Sequence, residues 1–396
     1  MIGRERNSMR LLGSFLCAAL ALAESNPAKA DSTIDYNLAS GWTSNIFRDP
    51  TSVSAAFSEA KLSLRGSLAL DESHLAYGLT ASARRVPEYR FADQRTIGLE
   101  IGYARDLGKT AKLTLKGGIE HRRTGDIFLA LPGALIGYHK DDVFATTSAG
   151  LTVDRWGGRN HMTATLSHLD RGEARFTLPG LKPTQLEADR TMLDLAGGHI
   201  RPLLGGEVGA TLQYRSTRIA DSQRRLFGRL PAETLRGSLA YGRAFGNGLT
   251  LMAEVGVVGV DSPYLGTTVE RSRPFLKGEL TWKLPRETML KAKLTRDIQL
   301  ADIDDLLGED VRTIGLSLEK ALTDKLKLTL SYEQAYSDWL YYDYRTCTKS
   351  MAATLSYALP KGATWALEYS RLVRRENDKA ADFRIDGLAA RFAGSF

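Results

Sequence analysis

Charged side chains recur in this sequence at every second position of short alternating runs, and that spacing is the first chemistry it offers. In Lys291-Ala292-Lys293-Leu294 both ammonium groups fall on one face of an extended chain, with Ala292 and Leu294 on the other. The same phase collects Lys61, Arg65, Lys116, Arg236, Lys277 and Lys327, with Arg84, Lys112, Arg122, Arg215 and Arg391 in further runs. Against them stand Glu254 and Glu279, then Glu100, Glu120, Asp154, Glu207, Glu319, Glu333 and Glu368. If this face bounds water, it lines a lumen for polar solutes, with a slight preference for anions around Lys277, Lys291 and Lys293. If the two signs pair across neighbouring strands, they only stabilise the wall.

Other charges gather between the runs. Arg218, Arg224, Arg225 and Arg229, with Arg215 beside them, form a basic cluster around one loop, and Arg371, Arg374 and Arg375 form another. Guanidinium forks suit phosphate and carboxylate, so lipopolysaccharide or an acidic glycan is the ligand class such loops would take; the alternative is a solvated charged loop. Asp302, Asp304, Asp305, Glu309 and Asp310 have oxygen ligands for calcium, but Leu307 stands where an EF-hand loop needs glycine. Catalysis has little to work with. His74, His121, His139, His161, His168 and His199 are scattered, no G-x-S-x-G or H-E-x-x-H spacing occurs, and His168 with Asp170 lacks a nucleophile on the same face. No enzyme activity, no cofactor and no metal are expected.

The elements that must position these residues are strands. Thr33–Trp42 alternates Ile34, Tyr36, Leu38 and Trp42 against Asp35, Asn37 and Ala39, and Phe57–Leu70 alternates leucines against Lys61, Ser63 and Arg65. Such runs repeat down the chain as hairpins around short turns such as Asp71-Glu72-Ser73, Gly246-Asn247-Gly248 and Pro360-Lys361-Gly362. The count is about eighteen strands of roughly ten to thirteen residues, the length a tilted strand needs to cross a bilayer core. Turns of roughly two to six residues alternate with loops of roughly nine to twenty, the asymmetry of periplasmic turns and extracellular loops. Tyr77, Tyr103, Tyr241, Trp282, Tyr357, Trp365 and Phe396 fall toward the short-turn ends, and Trp42, Tyr214, Tyr332 and Tyr369 toward the long-loop ends, as two aromatic girdles. The expected fold is an all-β, transmembrane antiparallel up-and-down β-barrel, with Thr124–Lys140 as a loop able to block its lumen.

Residues 1–30 read as a cleavable secretory signal. Arg4, Arg6 and Arg10 precede the apolar run Leu11–Ala23, and Ala28-Lys29-Ala30 is a small-residue cleavage site. The apolar run falls short of the roughly twenty residues a spanning helix needs, and Leu16 before Cys17 argues against lipidation. Removing the signal takes four basic and two acidic residues and lowers the formal charge from +7 to about +5. That mild excess, unconcentrated, excludes nucleic acid as a partner. The remaining cysteine, Cys347, leaves no intrachain disulfide. Residues 31–396 are then one outer-membrane barrel, with no plug or periplasmic domain before its first strand.

Two stretches carry a resemblance. The terminal strand Phe383–Phe396, ending on an aromatic, resembles the last strand of Gram-negative outer-membrane β-barrel proteins, although Gly394 stands where that family has a large apolar residue. Trp42-Thr43-Ser44-Asn45-Ile46-Phe47-Arg48, after the first strand, is similar to the signature of the β-barrel porin 2 family, associated with exopolysaccharide production. The resemblance implies a channel for passive passage of polar solutes or export of a secreted polysaccharide, folded by the barrel assembly machinery and surrounded by outer-membrane lipid and lipopolysaccharide. A non-conducting structural or assembly barrel is the alternative, and an outer-membrane hydrolase a remoter one.

Overall fold

The computed structural model describes residues 30–131, 134–263, 265, 271–300 and 307–396. Of residues 1–30, expected to form a cleavable secretory signal, only Ala30 lies among them.

Twenty strands follow one another: β1 (Ala30–Thr43), β2 (Ala55–Leu70), β3 (Ser73–Arg85), β4 (Gln94–Leu107), β5 (Ala111–Leu131), β6 (Ala134–Arg155), β7 (Gly158–Asp170), β8 (Glu173–Phe176), β9 (Thr184–Gln185) and β10 (Arg190–Leu203). They continue as β11 (Gly206–Arg218), β12 (Glu233–Ala244), β13 (Leu249–Asp261), β14 (Ser272–Leu284), β15 (Thr288–Gln299), β16 (Glu309–Ala321), β17 (Leu326–Trp339), β18 (Arg345–Ala358), β19 (Thr364–Glu376) and β20 (Phe383–Ser395). Every pairing is antiparallel between neighbours, and β20 closes on β1 from Asp35↔Ser395 to Thr43↔Gly387. β7 pairs directly with β10, so β8 and β9 belong to a loop and the wall has eighteen strands. Closure leaves no unpaired strand edge in the wall, so an apolar outer surface can meet lipid without exposing backbone polar groups.

The short turns carry their own conformational signature. Trp156 and Gly157 both adopt positive φ, 57° and 71°, as the two-residue turn between β6 and β7 requires for its twist to match the strands. Leu204 and Gly205 do the same between β10 and β11, at 54° and 72°. At the opposite end three connections depart from the expected long loops. Residues 340–344 and 377–382 suffice between β17 and β18 and between β19 and β20. Most of Thr124–Lys140 is ladder rather than loop: β5 and β6 run 21 and 22 residues and stay paired beyond Thr124↔Lys140, with one register shift at Ile127/Leu129. Its described backbone groups are committed to that hairpin, and Ile127 and Leu135 from its two strands pack against the rim residues Phe47, Val86 and Ala92.

Among the described residues, the clusters of dry packing lie at the long-loop rim, and there are two. One gathers Val258, Val260, Phe275, Ile298, Leu300, Leu307 and Leu340. The other gathers Phe47, Ala55, Val86 and Ala92 with Tyr89, Phe91, Ile127 and Leu135, and the rings of Phe47 and Phe91 stack at 5.5 Å. Gly137 makes room for this second cluster, because a Cβ there would lie 2.1 Å from the Phe91 ring.

Candidate functional site

Contacts between strands that are not neighbours identify the concave face. Asp297 on β15 accepts from Nη1 of Arg236 on β12 at 3.0 Å and from Nη1 of Arg215 on β11 at 3.3 Å. Three strands separate β11 from β15. In a closed wall convex side chains diverge and concave ones converge, so these three point inward. Directly opposed residues of paired strands share a face, and the ladders carry the phase around the barrel. Gln213↔Arg236, Ala240↔Glu254, Glu254↔Lys277, Glu279↔Lys293 and Thr281↔Lys291 place Glu254, Lys277, Glu279, Lys291 and Lys293 on the concave side. Ala321↔Lys327, Asn37↔Lys61, Thr33↔Arg65 and Gly102↔Lys116 extend it to the remaining basic positions. The convex phase carries exposed Leu38, Leu212, Leu239, Val255, Leu294, Leu316 and Leu367. The aromatic residues assigned to girdles share that convex phase, with Tyr357↔Trp365 and Trp365↔Phe392 as direct neighbours near the short-turn end.

Within the concave wall the charges fall into two clusters and a remainder. Near the long-loop end, Asp194 accepts from Arg215 Nε at 2.9 Å and from Gln213 Nε2 at 2.8 and 2.7 Å. Arg236, one strand on, stacks over the Phe275 ring at 4.0 Å while reaching Asp297. Near the short-turn end, Glu319 takes Lys291 at 2.8 Å on one oxygen and Lys327 on the other. Lys277 lies 3.3 Å from Glu279, and Glu254 accepts from Ser238. Lys61, Arg65, Lys116 and Lys293 have no ion pair among the described residues. Glu100, Glu207 and Glu333 on the same face likewise have no ion pair among the described residues, so pairing accounts for part of this face and a remainder of both signs is left over.

Of the loop clusters, the second comes apart and the first loses Arg215. Arg218 is exposed at the end of β11, and the short helix Asp221–Phe227 carries Arg224, held 3.4 Å from Asp221, and Arg225, with Arg229 just beyond. Arg215 does not join them, because alternation turns it to the concave wall. Arg371 and Arg374 point to opposite faces, Arg371 to Asp386 at 2.8 Å and Arg374 to Glu376 at 2.6 Å. Of the acidic run, Asp302, Asp304 and Asp305 lie outside the described residues. Asp310 is already neutralised: Arg296 reaches it at 2.6 Å, Arg312 at 3.4 Å and Arg273 at 3.6 Å. Glu309 accepts from Ser337. His168 bonds Thr191 at 2.9 Å, and His199 bonds Asn160 at 3.0 Å.

Two polar groups with structural roles escaped the sequence. Asn45 is 1% exposed; its Oδ1 accepts from Arg48 N at 3.0 Å and its Nδ2 donates to the Asp49 carbonyl at 2.6 Å. It is the staple of the loop after β1. Asp142, on β6, accepts from Arg171 Nη1 at 2.8 Å, and Lys140 and Arg171 both reach Glu187, at 2.8 and 2.9 Å. That network ties the loop after β7 to the hairpin extension. Its members are far apart in sequence, so spacing alone had no signal for it.

No family model matches the chain, and no curated sequence relative does, so the likeness of Trp42–Arg48 to the porin family finds no support there. Solved structures do match. The copper transporter OprC is similar at TM-score 0.54 and 8% identity, covering 94% of this chain and 81% of that one. A double mutant of the ferric enterobactin receptor PfeA from Pseudomonas aeruginosa gives 0.53 and 8% with the same coverage. CdiB from Acinetobacter baumannii gives 0.46 at 10% identity; 92% of this chain spans only 60% of that one. At such identities the likeness is one of fold: the chain has the architecture of Gram-negative outer-membrane β-barrels.

Proposed function

We propose that this protein is a passive outer-membrane channel for polar solutes, with no catalytic step and no resident cofactor. The observation that carries the reading is the concave wall. Its ion pairs are incomplete, and Lys61, Arg65, Lys116 and Lys293 carry charge with no ion pair among the described residues. Unpaired ammonium and guanidinium groups need water, and an eighteen-stranded cylinder has room for a hydrated interior. The chain's mild basic excess favours anions, and export of an acidic polysaccharide is a use consistent with it. Lipid and lipopolysaccharide would surround the convex face, and the barrel assembly machinery would insert it. The transporter and receptor among the structural neighbours agree with a transport role without specifying the cargo.

The second reading, a structural or assembly barrel that does not conduct, is favoured by the two dry clusters in which residues pack on one another at the long-loop rim. Purified protein in planar bilayers separates the two. Stepwise conductance with a mild anion preference is expected of the channel, whereas a persistently closed barrel would overturn it.

A further inference from the structure

At the long-loop end of the concave wall a cavity of about 410 Å3 spans the seam where β20 closes on β1. Arg84, near the end of β3, lines it, and its guanidinium lies over the Phe57 ring, 4.3 Å from Cζ to the centroid. Arg84 has no ion pair or hydrogen bond to any described residue, and its Nε is enclosed without a partner, although the ladder sets Glu59 directly opposite. Arg48 lines the same cavity, positioned by the Asn45 staple at φ 58°, and it too has no ion pair among the described residues. Arg391, also in the lining, is spent on Glu368 at 3.0 Å, and Arg371 on Asp386. Ser331, Ser350 and Ser370 add hydroxyls from the other wall.

An enclosed Nε–H with no acceptor is costly, and a second guanidinium at the same cavity adds repulsion. An anion would remove both costs. Arg48, Arg84 and Arg391 against Glu59 and Glu368 leave one positive charge in excess, which matches a singly charged carboxylate better than a phosphate carrying nearly two. The two glutamates and the serines are suited to a ligand's hydroxyl groups, and the volume lies in the ordinary range for small-molecule sites. We propose that this cavity is a binding subsite for a carboxylate-bearing sugar, with Arg84 and Arg48 taking the carboxylate. It deepens the channel reading by naming a solute class, yet it is tested by binding and not by conductance.

Isothermal calorimetry on the purified barrel in detergent would compare D-glucuronate, D-glucose and inorganic phosphate. Glucuronate is expected to bind at least about tenfold more tightly than either. Arg84→Gln and Arg48→Gln should each weaken it on the order of tenfold, the loss of one charge-assisted contact. Arg84→Lys, which keeps the charge but not the fork, should lose part of that. Strand circular dichroism verifies folding, and if Arg84→Gln does not fold, Arg48→Gln, in a loop, decides. Glucose binding as tightly as glucuronate, phosphate binding more tightly, or unchanged affinity in the folded Arg variants would each overturn the proposal. A barrel that binds glucuronate but never conducts would sink the channel and keep the subsite; one that conducts without binding would do the reverse.

Discussion

Near the long-loop end Asp297 holds Arg215 and Arg236, with side chains 15–28% exposed; near the short-turn end Glu319 holds Lys291 and Lys327, whose side chains keep 47% and 50% of their exposure. Both clusters arise from the same alternation, and both put one carboxylate between two cations. They differ in surroundings. Arg236 lies against Phe275, part of the dry rim cluster, so its charge is partly desolvated and leans on Asp297. The lysines of the other cluster reach into open space, where water screens them and the pair is worth little. Forked guanidiniums also fix direction, whereas ammonium groups act as mobile point charges. The first cluster is thus part of the wall's rigidity, and the second is a movable charge on the wall.

The comparison fails altogether if the faces are reversed, and that is the test with the largest expected effect. Leu294 is 39% exposed on the convex phase of β15 and faces Gly278. Leu294→Arg should cost about 2–4 kcal/mol of unfolding free energy in lipid vesicles, as for an arginine near mid-membrane. A silent substitution there would place the charged clusters outside. The rim offers a tighter contrast. Asp297→Ala strips a shared carboxylate from Arg215 and Arg236 and should cost roughly 2–3 kcal/mol, below the roughly 3–5 kcal/mol of a fully buried pair because water still reaches these groups. Glu319→Ala, the equivalent change at the short-turn end, should cost under about 1 kcal/mol. Equal losses in urea titrations of the two variants would erase the distinction between them.

Most of the wall was legible because alternation is a local property. Lys291 and Lys293 share a face whatever the rest of the chain does, and β10 forms a full strand even where Ala196, Gly197 and Gly198 blur its pattern, since both neighbours supply ladder partners. Pairing was not legible. Glu319 meets Lys291 from 28 positions away only because of the register between β15 and β16, which no spacing in the sequence specifies. The long-loop side was read least well for the same reason. Thr124–Lys140 looks like a loop until its two halves are seen to pair, and Asn45, in a stretch singled out as a family signature, turns out to hold the turn that brings Arg48 to the seam cavity. Arg215 reads both as a charge of the inward face and as a neighbour of a loop cluster, and alternation decides for the face.

The smallest expected effect on stability is also the sharpest test of the open part of the wall. Lys291 and Lys293 are equivalent by spacing, but the register separates them. Lys291 is committed to Glu319, so Lys291→Glu would oppose two carboxylates and confound any change in conduction with a change in folding. Lys293 faces Glu279, which is already 3.3 Å from Lys277, and it makes no ion pair of its own among the described residues. Removing its charge therefore leaves no partner unsatisfied. Lys293→Gln, which removes the charge without setting a second carboxylate across from Glu279, should change unfolding free energy by less than about 0.5 kcal/mol, the range of ordinary surface substitutions. It should nonetheless move the reversal potential in a salt gradient toward cations, because low-dielectric walls focus a fixed charge onto the permeating ions. The shift should shrink as salt is raised from 0.1 to 1 M, where the Debye length falls from about 10 Å to about 3 Å. An unchanged reversal potential at low salt would mean that ions do not pass this stretch of β15, and that the movable charges of the wall do not set what crosses it.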